Sequence, residues 1–269
     1  MRAILLTSTF RRHNYVANTL AHGCSLVGVW QEEKSFVPER YARNDAEERV
    51  IHDHFASRDA AEERYFGEHA AVVAGPEHRR VSPGACNDPE EIARMVALEP
   101  DVVFVFGTGI LREQVLSAFP GRIINMHLGL SPYYRGSGTN FWPLVNREPE
   151  FVGATIHYLD AKIDHGGILV HARPAIEPGD GPHDIGNKTI AAAADAALKA
   201  AAAHMSGTAG AVPQWQRGRL YQRKHFGADA VRRLYRNFET GMIDEYLATR
   251  AARDAKLRLI DLKNRGALA

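Results

Sequence analysis

Cysteine is scarce. Cys24 and Cys86 are the only two in 269 residues, too few for a disulfide framework or a four-thiolate zinc site, and they fit a reducing compartment. Long apolar runs are missing as well. The opening MRAILLTSTFRRHN has only Ala3 to Leu6 ahead of two arginines, which is too short for a signal h-region and has the wrong charge order. No stretch approaches the ~18 apolar residues of a membrane span. Nor is there an excess of one charge: Lys+Arg 33 against Asp+Glu 32 gives +1, which disfavours a chain-wide commitment to nucleic acid or to an anionic membrane. The expectation is a cytoplasmic protein with no membrane partner. A hydrophobic fraction of 45% and a charged fraction of 24% exclude a disordered, collagen-like or coiled-coil chain. The length suits one main domain with an appendage.

Runs of the buried-strand kind occur at Arg2 to Ser8, Ser25 to Trp30, Asp101 to Phe106, Arg122 to His127, Val152 to Tyr158 and Gly167 to Ala172. Helical spacing fills much of the intervals: Tyr15 to His22, Arg40 to Phe66 with a break expected near Ser57, a start at Asn87-Asp88-Pro89-Glu90-Glu91, Arg112 to Phe119, and a short helix over Thr139 to Asn146. Alternating strand and helix predicts an α/β fold of Rossmann-like character with a mainly parallel twisted sheet. The stretch Ile185 to Met205, nearly half alanine, predicts a closing helix. We therefore divide the chain into a domain over 1–205 and a mostly helical C-terminal extension over 206–269. Residues 211–269 hold 13 Lys+Arg against 6 Asp+Glu, a net +7 that leaves −6 for residues 1–210. A solvated helix face is the commoner meaning of such a run, with an anionic partner weakly favoured.

In Ile123-Ile124-Asn125-Met126-His127 the strand period of two puts Asn125 and His127 on one face. They stand where a parallel strand runs out into a Gly/Pro loop, the place where open α/β sheets build their sites. An amide can donate to a developing oxyanion, and an imidazole can change protonation near neutral pH. Two satisfied polar residues at a strand end would give the same spacing. Asp164, in Lys162-Ile163-Asp164-His165-Gly166-Gly167, could orient an imidazole and raise its pKa, or could simply form the turn. His157 alternates with Thr155 and points toward the same region, as support or as chemistry. His52 and His54 are two apart on a helix and make no metal pair, and His165 is a turn residue.

Several short stretches occur in a telling order: Asn125-Met126-His127-Leu128-Gly129-Leu130-Ser131-Pro132, Tyr134-Arg135-Gly136, Gly153-Ala154-Thr155-Ile156-His157 and Ile163-Asp164-His165-Gly166-Gly167-Ile168-Leu169. In these motifs the chain resembles the folate-dependent formyltransferase family, whose members modify glycinamide ribonucleotide, methionyl-tRNA and nucleotide-linked amino sugars. The resemblance is densest over 101–175 and extends as fold similarity over 1–205. It implies Asn125, His127 and Asp164 as the catalytic trio, 10-formyltetrahydrofolate as formyl donor and co-substrate, and no metal. It also implies a pterin slot built from the backbone of Phe106, Gly107, Thr108, Gly109, Ile110 and Leu111 and of the turn from Leu159 through Asp160 and Ile163 to Asp164. The strict GxGxxG of a dinucleotide site is missing there, which disfavours a nicotinamide cofactor.

The acceptor is less legible. Ser8-Thr9-Phe10-Arg11-Arg12-His13-Asn14 stands where glycinamide ribonucleotide enzymes have a Gly-rich phosphate loop, a departure that argues against a purine substrate. The short tail, unlike the β-barrel domain of methionyl-tRNA formyltransferases, makes tRNA less fitting. The segment Leu220 to Phe226 loosely resembles formyltransferases of nucleotide-linked amino sugars. A small primary amine carrying phosphate is the expected partner, with Arg11, Arg12 and Arg135 as its candidate contacts. Tyr133, Phe141 and Trp142 could stack on a ring, although core is their commoner role. A homodimer formed through the extension is left open. The rivals are a 10-formyltetrahydrofolate hydrolase, whose relatives normally carry an N-terminal regulatory domain where this chain begins at its first strand, and a non-catalytic folate- or nucleotide-binding module, which has no need of the trio.

Overall fold

The structure, a computed structural model, describes residues 1–33, 37–159 and 166–262, with only the backbone of Pro38 and Glu39. Its strands are β1 (Arg2–Ser8), β2 (Ser25–Glu32), β3 (Glu77–Val81), β4 (Val102–Val105), β5 (Ile123–His127), β6 (Tyr134–Gly136), β7 (Ala154–Tyr158), β8 (Ile168–Ala172) and β9 (Arg219–Tyr221). Its helices are α1 (Arg11–Gly23), α2 (Asp45–Phe66), α3 (Pro89–Ala97), α4 (Glu113–Ala118), α5 (Phe141–Val145), α6 (Pro182–Met205), α7 (Ala228–Glu239) and α8 (Met242–Asp254). Seven strands form one sheet in the order β3-β2-β1-β4-β5-β7-β8. The first five run parallel, while β7 is antiparallel to β5 and β8 antiparallel to β7.

Strand alternation sorts the core into two layers. Ala3 and Leu5, Val102 and Phe104, and Ile124 and Met126 face Val16 and Leu20 of α1 and the alanines of α6. Ile4 and Leu6, Val103 and Val105, and Ile123 face Met95 of α3 and Val115 of α4. The alanine-rich α6 buries Ala193, Ala197, Ala200 and Ala201 completely, since short side chains let a helix lie close to a sheet. A third cluster joins Tyr134, Trp142, Leu234, Met242 and Tyr246, and β9 pairs in parallel with β6. Trp142 is thus core, stacked 4.3 Å from Tyr221.

Local chemistry sets the boundaries. Asn44 caps α2 by accepting from Glu47 N at 3.1 Å, with Asp45, Glu47 and Glu48 in the positive first turn. The helix therefore starts at Asp45 rather than Arg40. It passes Ser57 unbroken, because Ile51, His54, Ala61 and Phe66 form one buried face that outweighs a small propensity cost. Among the described residues no helix is long and apolar enough to cross a membrane.

The loop after β5 is held from β7 and β8. Thr155, fully buried, donates to Gly129 O at 2.6 Å and accepts from Ser131 N at 2.8 Å. His171 bonds Ser131 O at 2.8 Å through Nε2 and accepts from Ile260 N at 3.0 Å through Nδ1, the pattern of a neutral imidazole. Burial pushes its pKa down to about 4. His54 falls to about 3 and His183 to about 4, in both cases chiefly by burial.

Thr155→Val keeps the shape and removes the hydroxyl, so two buried backbone groups lose their partner. The expected cost is about 1–3 kcal/mol, read as a lower urea midpoint, and an unchanged midpoint would mean that the loop is held elsewhere. The three depressed histidines make a second prediction. They are neutral when folded, whereas the unfolded chain takes up protons near pH 6.5, so their contribution is intact above that value and is lost as pH falls toward 4. Each histidine contributes a slope of about 1.4 kcal/mol per pH unit in that window. Urea titrations at pH 7.5, 6 and 5 check this, and His171→Gln should flatten the slope.

Candidate active site

The sheet changes winding direction between β1 and β4, and the carboxyl ends of such strands leave a crevice. Here it is a cleft of about 700 Å³ lined by Arg12, His13, Phe106 to Leu111, Asn125 to Leu128, Gly136 to Gly138, Leu159 and Arg223. On β5, Ile124 and Met126 point into the α1 and α6 layer, which sends Asn125 and His127 to the opposite face, at the cleft floor.

Register determines their neighbours. Asn125 lies opposite His157 and His127 opposite Thr155 across the antiparallel pair of β5 and β7. Asn125 Nδ2 is 3.0 Å from His157 Nε2, and His157 Nδ1 is 2.8 Å from Tyr158 O. A carbonyl only accepts, so Nδ1 carries the proton. An amide nitrogen only donates, so Nε2 is the acceptor. His157 is therefore neutral and fully buried, and it fixes the plane of the Asn125 carboxamide. One amide N–H goes to His157, and the second is left for a group in the cleft. His127 Nε2 approaches Thr139 Oγ1 at 3.4 Å, and that hydroxyl donates to Leu128 O. Gly129 permits this packing: at φ +155° its Cβ would sit 2.5 Å from Thr139 Cβ.

The loop after β4 forms the facing wall. Thr7 Oγ1 bonds Phe106 O at 2.8 Å, and Gly109 N donates to Glu32 Oε1 at 3.1 Å. A Cβ on Gly109 would fall 2.7 Å from that oxygen, so the glycine gives Glu32 its seat. Ile110, 69% exposed, presents apolar surface.

Of the expected site residues, Asn125, His127, Phe106, Gly107, Thr108, Gly109, Ile110, Leu111, Leu159 and Arg12 line this one cleft. Asp160, Ile163 and Asp164 lie outside the described residues. Arg11 turns away to pair with Glu63 and donates to Gly67 O at 3.2 Å. Arg135, on β6 in register with Leu220, does not line the cleft. Arg12 pairs with Glu62, and burial lowers its pKa. A second chamber of about 550 Å³ adjoins the cleft and shares Arg12, Thr108, Gly109, Ser137, Gly138 and Arg223 with it. Its other walls include Arg58, the aromatic rings of Phe10, Tyr41, Phe55, Phe141, Trp142 and Phe226, and two carboxylates, Glu32 and Glu33. Sequence reasoning missed Arg58, Arg223, Thr139 and the Phe55–Phe226 pair, whose separation along the chain leaves no local signal. The thiols of Cys24 and Cys86 are pushed up by burial to about 11 and about 12, which removes them as nucleophiles. Among the described residues no group of three or more His, Cys, Asp or Glu could hold a metal ion.

Known proteins share this arrangement of strands. Glycinamide ribonucleotide transformylase 1 from Symbiobacterium toebii is 22% identical, covering 77% of this chain and 88% of its own, with a TM-score of 0.52. A sugar N-formyltransferase from a Shewanella species is 16% identical over 84% and 78%, TM-score 0.53. A 4-N formyltransferase from Francisella tularensis is 16% identical over 82% and 76%, TM-score 0.52. At these identities the likeness is one of fold. A family model described as formyl transferase matches residues 39–201, more than half of the chain and inclusive of both cleft-floor side chains. The chain belongs to the formyl transferase family.

Proposed function

We propose that the chain transfers the formyl group of 10-formyltetrahydrofolate to the primary amine of a nucleotide-linked amino sugar. The observation that carries this is the pairing of a cleft floored by Asn125 and His127 with an adjoining chamber rich in arginine and aromatic side chains. The folded donor would lie along Phe106 to Leu111 and Leu159, where backbone groups and Ile110 offer hydrogen bonds and apolar contact. In the chamber, Arg12, Arg58 and Arg223 suit phosphate, and Phe10, Tyr41, Phe55 and Phe226 suit a ring. Arg11 and Arg135 have no part in this reading.

Formyl transfer sets three tasks. The neutral amine forms a bond to the formyl carbon, and the carbonyl π electrons move to oxygen. The second Asn125 N–H and the His127 imidazole, cationic at this stage, donate to that oxyanion. When the carbon–nitrogen bond to the folate breaks, its electron pair leaves on the folate nitrogen, which takes up the proton lost by the amine. Asp164, assigned by resemblance, raises the imidazole pKa and relays that proton. His157 holds Asn125 in plane and touches no reacting atom.

A screen of nucleotide-linked amino sugars with 10-formyltetrahydrofolate, following tetrahydrofolate release against an amine-free control, tests the reading. Release should require the amine, and release without it would mean a hydrolase. With an active acceptor, Asn125→Ala and Asp164→Asn should each lower kcat by about 100-fold or more, with donor binding still measurable. Undiminished turnover in both variants would overturn the assignment.

A further inference from the structure

The cleft wall formed by Phe106 to Leu111 keeps much of its backbone hydrogen-bonding capacity open. Phe106 N donates to Leu6 O at 2.9 Å and Phe106 O accepts from Thr7 Oγ1, which ties the start of the loop to β1. Gly109 N is taken by Glu32, Gly109 O by Thr108 Oγ1 at 2.9 Å, and Ile110 O by Asn87. Among the described residues nothing bonds the N–H of Gly107, Thr108, Ile110 or Leu111, or the C=O of Gly107, Thr108 or Leu111. These residues line the cleft, so a polar edge laid along this wall meets groups that the fold has not used.

Two side chains that do not line the cleft decide which groups those are. Glu32, at the end of β2, is 4% exposed and holds Gly109 N. Asn87 stands between β3 and α3, where the sequence suggests a helix start, yet α3 takes Asp88 as its N-cap and the Asn87 carboxamide is spent across the fold. Its Oδ1 accepts from Arg112 N at 2.7 Å, and its Nδ2 donates to Ile110 O at 3.1 Å and to Gly84 O at 3.0 Å. A backbone N–H only donates and a carbonyl only accepts, so the amide has one possible orientation, with both its hydrogens used. One carboxamide that takes the C=O of residue 110 and the N–H of residue 112 holds both on one side. That is the arrangement of extended backbone, in which the N–H and C=O of the residue between point the other way. Arg112 has extended torsions, φ −98° and ψ 172°. Leu111, the residue between, lines the cleft and Asn87 does not.

We propose that Asn87 is a positioning residue for the folate donor: with Glu32 as the second anchor, it holds Gly109 to Arg112 against the turn after β3 and so keeps the unused backbone groups of the loop presented to the donor. The inference rests on the reading of this cleft as the donor site. Asn87 touches no reacting atom. Ile110 and Leu111, which its bonds hold, line the cleft and not the aromatic chamber. Loss of the clamp therefore acts on donor affinity and spares both the chemical step and the binding of the amine.

Tetrahydrofolate is titrated calorimetrically into the whole chain, with no amine present, for the wild type and for Asn87→Ala, which removes all three bonds; thermal melts report whether the variant folds. The Kd should rise by about tenfold or more in the variant. With an active acceptor, the KM for 10-formyltetrahydrofolate should rise in step, while kcat at saturating donor and the KM for the amine stay within about twofold of the wild type. Equal binding of tetrahydrofolate by wild type and variant would overturn the inference alone, as would a loss spread evenly over donor KM, amine KM and kcat, the mark of general loosening. A wild type that does not bind tetrahydrofolate would overturn the donor assignment, and the inference with it. Should Asn87→Ala not fold, amide hydrogen exchange in the wild type decides the same question. Gly109 and Arg112 should be protected in the free protein, and Ile110 and Leu111 only once tetrahydrofolate is added. Equal protection of all four before the ligand is added would overturn the inference.

Discussion

The whole site depends on one cross-strand register. Asn125 opposite His157 and His127 opposite Thr155 place a donor amide, a positioning imidazole, a titratable imidazole and a loop-holding hydroxyl within two residue pairs. A shift of one residue would turn His157 and Thr155 to the other face and bring Ile156 beside the amide. The antiparallel sense of β7 matters as much. The five parallel strands build the crevice, but a parallel neighbour would need a long crossover before it could set a side chain beside the end of β5.

The polar groups that β7 places under the cleft are tolerated because they are paired. His157 and Thr155 are fully buried, and their bonds run to Asn125, Tyr158 O, Gly129 O and Ser131 N. Burial without partners would cost more than such bonds contribute. The pairing therefore both stabilises the fold and aims the site: apart from Tyr158 O, the atoms that satisfy His157 and Thr155 belong to β5 and to the loop that leaves it.

Most of the main sheet was legible because its strands are short apolar runs between amphipathic helices, and β1 spans the residues its pattern suggested. The strands β3 and β6 escaped. In β3 the sequence is Glu77-His78-Arg79-Arg80-Val81, polar on both faces, as an edge strand can be. In β6 the three residues pair with β9, more than eighty positions away, a partnership no local pattern encodes. The cleft floor could be read because period-two alternation is local. The aromatic chamber could not, since Phe10, Tyr41, Phe55, Trp142 and Phe226 meet only after α2, α5 and the extension have packed. Neighbouring arginines illustrate the same limit: Arg11 and Arg12 are adjacent in sequence, yet the helical turn of about 100° per residue sends one to Glu63 and Gly67 O and the other to Glu62 at the cleft.

Arg12 borders the cleft and the aromatic chamber, so its charge state bears on both. Burial alone would push the guanidinium toward neutrality, and Glu62, itself 4% exposed, opposes that. The pair is close to neutral as a unit and contributes little long-range attraction, while the unused guanidinium N–H groups remain available at short range. Longer-range positive potential in the chamber must then come from Arg58 and Arg223. Arg58 is partly offset by Asp59 at 2.7 Å, a pair whose acid is 62% exposed and therefore screened by solvent. One charge type thus occurs in two settings, a buried arginine offset by its acid and an arginine whose acid is screened by solvent. That division follows from helix packing: α2 places Glu62 against α1, and the same face of α2, four residues earlier, delivers Arg58 to the chamber.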